Sequence, residues 1–118
     1  MKYERIRNFI NGEFIPIESN RILTINSPGD GTFLTDLPCS DNSDLEVAVL
    51  AAKKAFPAWS KTPIKERVQV FFRYKFLLEK HLHELATLGS EENGKTISES
   101  IAEVEKCIEL VTSYESRS

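Results

Sequence analysis

Residues Gly89–Thr96 read G-S-E-E-N-G-K-T and match the phosphate-loop pattern G-x-x-x-x-G-K-[ST] at every fixed position. Such a loop binds a nucleotide only where it follows a buried strand and opens a helix. The preceding segment, H-E-L-A-T-L at 83–88, has helical periodicity instead. Glu91 and Glu92 would also place two negative charges beside a triphosphate. The context therefore argues against a nucleotide site.

The alternative for this stretch is a corner between two helices. Gly94 is placed to end the first helix in the left-handed conformation that glycine adopts without strain. Thr96 and Glu99 have the spacing of a capping box at the start of the next helix. This interpretation leaves Lys95 solvated, and we expect the chain to bind no nucleoside triphosphate here.

Helical periodicity extends outward from the corner in both directions. Apolar residues recur at i, i+3, i+4 and i+7 over three stretches, the pattern of a helix with one apolar face. They are Leu45, Ala48, Val49, Ala52 and Phe56, then Val68, Phe71, Phe72, Leu78, Leu82, Leu85 and Leu88, then Ile101, Val104, Ile108 and Val111. The pattern predicts three helices, or four if the long middle one divides at a bend near His81.

Local signals predict where these helices begin and end. Asp41, with Asp44 three residues further on, is typical of a helix start. Pro57 is predicted to end the first helix because proline has no N–H to donate. Thr62 is the expected N-cap of the next helix, with Pro63 at its first position.

The residues before Asp41 predict two β-hairpins. Asn11 and Gly12 separate two short apolar runs, and this pair favours a type I′ turn because both residues tolerate positive φ. Pro16 limits the second run to a sheet edge. The second hairpin is predicted to pair residues 21–26 with 32–37 across an S-P-G-D-G turn.

The sequence therefore predicts an α/β chain, or α+β when it is considered as an isolated fragment. A β-hairpin segment at 1–40 precedes a helical segment at 41–118, and together they form one partial domain. A chain of 118 residues buries only a small core, so we expect exposed apolar side chains, with self-association or marginal stability as the result. The exposed set is expected to include Leu45, Val68, Phe72, Ile101 and Ile108.

Composition argues against several classes of protein. With 41% hydrophobic and 28% charged residues, the chain is typical of a globular protein. The net charge of −3 and the pI near 5.4 argue against a nucleic-acid partner. No apolar run reaches the ~18 residues that predict a membrane span. The charged start does not resemble a signal peptide, so the expected location is cytoplasmic.

Few residues by themselves suggest a catalytic or metal-binding role. Cys39 and Cys107 have the spacing of neither a zinc site nor a disulfide framework. Cys107 is expected to be a small buried residue rather than a nucleophile. His81 and His83 lie two residues apart on a helix, so they point away from each other and cannot share a metal ion.

The order of the motifs is more specific than any single motif. N-F-I-N-G-E-F is followed by N-S-P-G-D-G, D-L-E-V-A-V-L-A-A-K-K-A-F-P-A-W-S, K-E-R-V-Q-V-F-F-R-Y-K-F-L-L-E-K-H-L-H-E-L-A, E-E-N-G-K-T and A-E-V-E-K-C-I-E. In this order, from about Asn8 to Tyr114, the chain resembles the N-terminal part of an aldehyde dehydrogenase. W-S-K-T-P and E-E-N-G-K-T make it most similar to the methylmalonate-semialdehyde dehydrogenase branch.

This resemblance implies an oxidoreductase that uses NAD or NADP. In the family a cysteine thiolate attacks the aldehyde, hydride passes to the nicotinamide, and the acyl group goes to water or coenzyme A. The catalytic cysteine, its glutamate base and the cofactor-binding loops, with the Rossmann-type sheet, belong to later parts of the family's fold. We therefore assign no catalytic or cofactor-binding residue to this chain and expect it to be inactive and cofactor-free alone. The implied partners are the remainder of the dehydrogenase chain and further copies in a homo-oligomer.

The resemblance also implies two sites. Many family members hold a structural monovalent cation through backbone carbonyls and one carboxylate, and the matching positions here are Thr24, Ile25 and Glu103. Glu103 is equally well explained as a surface or salt-bridged carboxylate. In the methylmalonate-semialdehyde branch an arginine in the pattern E-V-x-R helps to hold the substrate carboxylate or the cofactor region. Here Lys106 stands at that place, and lysine keeps the charge but loses the bidentate geometry.

An alternative function comes from a different class of protein, a non-catalytic module that docks onto a full-length dehydrogenase. A neighbouring reading frame that continues the dehydrogenase would favour truncation, in the gene or during cloning. An intact copy elsewhere would favour the module. The aldehyde, the choice between NAD and NADP, and the acceptor stay open at this point.

Overall fold

The structure is a computed structural model that describes the backbone of residues 1–116 and the side chains of residues 1–113. The last two positions of the predicted helical segment 41–118 lie outside the described residues. The strands are β1 (Asn8–Ile10), β2 (Glu13–Ile15), β3 (Ile22–Asn26) and β4 (Phe33–Pro38), and the helices are α1 (Asn42–Lys61), α2 (Ile64–Lys80), α3 (Leu82–Asn93) and α4 (Ile97–Ser116). This order confirms the predicted fold class, two hairpins followed by helices.

The chain forms two compact units, Met1–Lys61 and Thr62–Ser118. The first contains all four strands and α1, and the second contains α2, α3 and α4. The boundary that the sequence predicts at 40/41 separates the strands from the helices. As a boundary between domains it stays a prediction.

The first hairpin confirms the turn predicted from sequence. β1 and β2 pair antiparallel, and the two turn residues have positive φ, 54° for Asn11 and 79° for Gly12. Phe9 lies opposite Phe14, and their ring centroids are 4.9 Å apart. β2 ends at Ile15, directly before Pro16.

The second hairpin joins β3 to β4, and a third stretch of backbone follows its outer side. The amide groups of Lys2, Tyr3 and Ile6 donate hydrogen bonds to carbonyls of β4. On β4 itself, Leu34 and Thr35 are buried, and the Thr35 hydroxyl donates to the Glu4 carbonyl at 2.7 Å. The small core of this unit therefore lies along β4.

Helix α1 begins as predicted but ends later. The Asp44 amide donates to the Asp41 carboxylate at 3.1 Å, and the Asp41 amide donates to the Asp44 carboxylate at 2.9 Å. The prediction that Pro57 ends the helix is wrong, because α1 continues through Lys61. Proline removes one donor from the helix ladder but leaves its own carbonyl available, and that carbonyl accepts a bond from the Ser60 hydroxyl at 3.0 Å.

The second unit is a three-helix arrangement in which α4 packs against both α2 and α3. Its buried residues are Leu78, Ala86, Ser100 and Val111. The predicted bend is confirmed, since α2 ends at Lys80 and α3 begins at Leu82, with His81 between them.

The start of α2 differs by one residue from the prediction. Pro63, rather than Thr62, is the N-cap, with an extended ψ of 143°. Its carbonyl accepts bonds from the amides of Glu66 and Arg67. Proline suits this position because the cap residue contributes a carbonyl to the first turn and needs no N–H. None of the described helices is long and apolar enough to cross a membrane.

Candidate functional site

The stretch Gly89–Thr96 is a helix-to-helix corner, as predicted. Gly89 to Asn93 belong to α3, and Gly94 ends that helix with φ 71° and ψ 18°, in the left-handed region. The Gly94 amide donates to the Ser90 carbonyl at 2.9 Å, and the Ser90 hydroxyl donates to the Lys95 carbonyl at 2.6 Å. The segment before the loop is helical, so the geometry of a phosphate loop is absent from this stretch.

The capping box that opens α4 is confirmed in both directions. The Glu99 amide donates to the Thr96 hydroxyl at 3.2 Å, and the Thr96 amide donates to the Glu99 carboxylate at 3.1 Å. These bonds satisfy two amide groups that no helical carbonyl can reach.

Lys95 departs from its expected solvated state. Its ammonium group contacts Glu103 Oε1, eight residues further along the chain, and its side chain is only 39% exposed. The corner places Lys95 beside the second turn of the helix that follows. Glu103, the predicted cation ligand, is therefore a salt-bridged carboxylate, which is the other interpretation that the sequence allowed.

The predicted carbonyl ligands of the cation, Thr24 and Ile25, are neighbours on β3 in the first unit. Glu103 belongs to α4 in the second unit. Carbonyl and carboxylate oxygens are the donors that a hard monovalent ion prefers, so these three residues carry suitable donor atoms for such an ion. Within the described residues, no cluster of three or more His, Cys, Asp or Glu side chains could hold a metal ion.

Lys106 lies on the exposed side of α4. Its ammonium group is 3.3 Å from the Glu109 carboxylate one turn away, and both side chains are 70% exposed. Such a pair contributes little to stability because water screens it, so Lys106 can exchange Glu109 for another carboxylate at little cost.

Cys107 is exposed, which corrects the expectation that it is buried. On α4 it lies three residues after Val104 and four before Val111, so it is on the same side of the helix as these two residues, and the other helices of the unit leave it uncovered.

Sequence reasoning missed how much of α2 is apolar. Leu78 faces the core of the second unit, whereas Val70, Tyr74 and Leu77 form a further stripe at i, i+4 and i+7 that stays exposed. Phe76, on another side of the helix, is 63% exposed. A helix with apolar residues on several sides is typical of the interior of a larger protein.

Helix α1 shows the same property in the first unit. None of its residues is buried, and its exposed apolar side chains include Leu45, Leu50 and Phe56. The expected exposure of Leu45 and Phe72 is therefore observed, whereas Val68, Ile101 and Ile108 are only half-exposed. Both units present apolar surface that further protein could cover.

Comparison with known proteins gives a consistent result. The aldehyde dehydrogenase family pattern matches residues 14–117. A malonate-semialdehyde dehydrogenase of Halalkalibacterium halodurans is 40% identical over 108 residues, which cover 92% of this chain and 22% of that protein. The methylmalonate-semialdehyde dehydrogenase of Oceanimonas doudoroffii has a similar structure, with a TM-score of 0.90 and 34% identity over 96% of this chain and 23% of its own.

A third structure, an NAD-dependent benzaldehyde dehydrogenase of Corynebacterium glutamicum, gives a TM-score of 0.89 at 29% identity, over 94% of this chain and 24% of its own. The chain thus spans about a fifth of the length of the relatives that it matches, 22% in the case of the Halalkalibacterium protein. These matches confirm the resemblance and the branch that the motifs indicated. The chain belongs to the aldehyde dehydrogenase family and has the structure of the N-terminal part of its fold.

Proposed function

We propose that the chain is the N-terminal portion of an NAD(P)-dependent dehydrogenase that oxidises a semialdehyde. The observation that carries this proposal is its identity to a malonate-semialdehyde dehydrogenase over nearly the whole of this chain. Two of the three relatives described above are named for malonate semialdehyde and methylmalonate semialdehyde, aldehydes that also carry a carboxylate. The proposed substrate is therefore a short aldehyde that carries a carboxylate, and the acyl acceptor is water or coenzyme A.

The proposed contribution of this portion is structural. Apolar residues on several sides of α2, and along all of α1, would pack against the parts of the dehydrogenase that bind the cofactor and the aldehyde. We assign no catalytic or cofactor-binding residue to this chain, so the chain alone is proposed to be inactive. Cytoplasmic location and homo-oligomeric assembly belong to the same proposal.

Two sites are proposed within this portion. Lys106 would hold the carboxylate of the substrate as a point charge, and its weak, exposed pairing with Glu109 leaves it available for that role. Thr24 and Ile25 would contribute backbone carbonyls, and Glu103 its carboxylate, to a structural monovalent cation. Lys95 already supplies one positive charge to Glu103, so cation affinity at this carboxylate should be modest.

A chimera tests whether this portion can serve a dehydrogenase. The matching segment of the Halalkalibacterium enzyme is replaced by this chain, and reduction of NAD and of NADP is followed with malonate semialdehyde. We expect an active chimera and no reduction by the 118-residue chain alone. A chimera that folds and assembles like its parent but has no activity would refute the proposal, and turnover by the chain alone would refute the absence of catalytic residues.

The role of Lys106 is tested in the same chimera. Lys106→Met should raise KM for malonate semialdehyde about tenfold or more while KM for an uncharged aldehyde stays the same, because only the former has a carboxylate. Lys80→Met, a change of the same kind at the exposed end of α2, serves as the matched control. Equal effects of Lys106→Met on both aldehydes would exclude the carboxylate contact.

The alternative, a non-catalytic module that docks onto a full-length dehydrogenase, draws on the same exposed apolar surface. It is tested by mixing the chain with the intact Halalkalibacterium enzyme. Stoichiometric co-sedimentation would favour the module. Binding only to an enzyme whose own N-terminal segment has been removed would favour the dehydrogenase portion.

A further inference from the structure

The side chain of Lys106 can reach four neighbours on its own helix, α4. Residues three and four positions apart face each other on a helix, so these neighbours are Ala102, Glu103, Glu109 and Leu110. Two of the four carry a carboxylate, which can pair with the ammonium group of Lys106. How these two carboxylates are engaged decides which of them holds the lysine.

Glu103 is engaged by a different lysine. Its Oε1 atom contacts the ammonium group of Lys95 across the helix corner. The corner holds Lys95 in place, because its backbone carbonyl accepts a bond from the Ser90 hydroxyl at 2.6 Å. Glu109 is the carboxylate that pairs with Lys106, with 3.3 Å between the ammonium nitrogen and Oε2.

The pair of Lys106 and Glu109 is weak. Both side chains are 70% exposed, so water screens their attraction. An exposed pair of this kind on a helix changes an equilibrium constant by about twofold. An ammonium group is also a compact point charge, so a carboxylate that arrives from solution must displace Glu109 or share the charge with it.

We propose that Glu109 competes with the carboxylate of the substrate for Lys106 and thereby raises KM for a carboxylate-bearing aldehyde. This inference rests on the proposed role of Lys106 in holding that carboxylate. Glu109 neutralises the ammonium group before the substrate arrives, and the substrate carboxylate takes its place on binding. Because Glu109 acts through Lys106, it is a positioning residue rather than a catalytic one.

The competition depends on the lysine. An arginine would present five N–H donors in a planar fork, enough to bind Glu109 and a second carboxylate together. The ammonium group of Lys106 has three donors around one small charge. Substrate binding is therefore tied to the release of Glu109 by Lys106, and an arginine at this position should loosen that connection.

The first test compares two carboxylates of α4 in the chimera described above. Glu109→Gln removes the partner of Lys106, and Glu105→Gln removes the same charge from an adjacent residue that does not face Lys106. Glu109→Gln should lower KM for malonate semialdehyde about twofold without changing kcat, and Glu105→Gln should have a smaller effect. Glu109→Asp, which keeps the carboxylate, should restore the original KM. KM for an uncharged aldehyde reports any effect that does not involve the carboxylate.

The second test shows whether the effect passes through Lys106. In the Lys106→Met background, Glu109→Gln should not change KM, because no ammonium group is left to compete for. In the Lys106→Arg background, Glu109→Gln should lower KM by clearly less than twofold, because the fork can bind both carboxylates. A twofold fall in KM that persists in Lys106→Met would show that Glu109 repels the substrate directly, and it would overturn the proposal.

Other results would also contradict the competition. They are a higher KM in Glu109→Gln, equal effects of Glu109→Gln and Glu105→Gln, the same shift for the uncharged aldehyde, and a fall in KM for NAD instead of the aldehyde. If Lys106→Met leaves KM for malonate semialdehyde unchanged, the proposed substrate contact is wrong and this inference falls with it. If Lys106→Met raises KM and Glu109→Gln has no effect, the inference alone is wrong.

Circular dichroism and sedimentation establish that each variant chimera is folded and assembled like its parent. If the chimera does not assemble, the same variants are made in this chain, which is then mixed with the Halalkalibacterium enzyme whose own N-terminal segment has been removed. The same changes in KM are expected in that mixture, and their absence there would refute the proposal.

Discussion

The helix corner makes a testable prediction about two glycines that lie five residues apart. Gly89 is inside α3 with ordinary helical backbone, and a Cβ atom built there would lie 3.5 Å from Ser100 Oγ and 3.8 Å from Ser100 Cβ. Both distances are ordinary van der Waals contacts. Gly94 has φ 71°, in the left-handed region that alanine adopts only with strain.

The same substitution should therefore have opposite effects at the two positions. Gly89→Ala should raise the free energy of unfolding by about 1 kcal/mol, since alanine is the better helix former by that amount. Gly94→Ala should lower it by about 1 kcal/mol, the cost of a Cβ atom in the left-handed conformation. For a unit of this size each change corresponds to a shift of about 4–8 °C in Tm.

The assay is thermal and urea unfolding followed by circular dichroism at low protein concentration, where self-association is minimal. The pair of variants is its own control, because both change glycine to alanine. Loss of stability in Gly89→Ala would mean that the crossing of α3 and α4 at Ser100 is tighter than the structure has it. A gain in Gly94→Ala would mean that the helix does not end there.

Three further outcomes are expected. Thr96→Ala should lower the free energy of unfolding by about 1 kcal/mol, whereas Thr96→Ser should keep most of the original stability because serine retains the capping oxygen. Urea unfolding of both variants is the measurement. Hydrogen bonds from the Ser43 hydroxyl and the Asp44 amide lower the pKa of Asp41 below its usual value. The Asp41 cap therefore stabilises α1 fully above the pKa of the unfolded chain, about 3.9, and this stabilisation is lost as the pH falls through the lower pKa of the folded chain. Ellipticity of α1 should fall on acidification to below about pH 4, and less so in Asp41→Asn; identical acid titrations of the two chains would contradict this cause. Calorimetry should detect no ATP binding, and saturable binding that Lys95→Ala abolishes would restore the phosphate-loop interpretation.

Sequence alone was sufficient where a local rule determines the structure. The turn at Asn11–Gly12, the caps at Asp41 and Thr96 and the break at His81 each depend on residues within a few positions of one another. The motif order indicated the family and its branch, which the comparisons confirmed.

The errors arose where distant residues, or a competing preference, decide the outcome. Lys95 and Glu103 are eight residues apart, beyond the i, i+4 reach of one helix, and only the turn at Gly94 brings them together. Cys107 was assigned to the interior by residue type, but the neighbouring helices leave it exposed. Pro57 was treated as an absolute stop, whereas a proline inside a helix costs about 3 kcal/mol, which neighbouring residues can offset.

The apolar character of α2 has a consequence for how this sequence can evolve. Most polar residues of α2 lie on one half of its circumference, at Lys65, Glu66, Gln69, Arg73, Lys75, Glu79 and Lys80. If the side formed by Val70, Tyr74 and Leu77 is covered in the complete dehydrogenase, these polar positions are the part of α2 that meets water. Neutral substitutions in related sequences should therefore accumulate at those polar positions, and exchanges at Val70, Tyr74 or Leu77 should be accompanied by compensating changes elsewhere in the dehydrogenase chain.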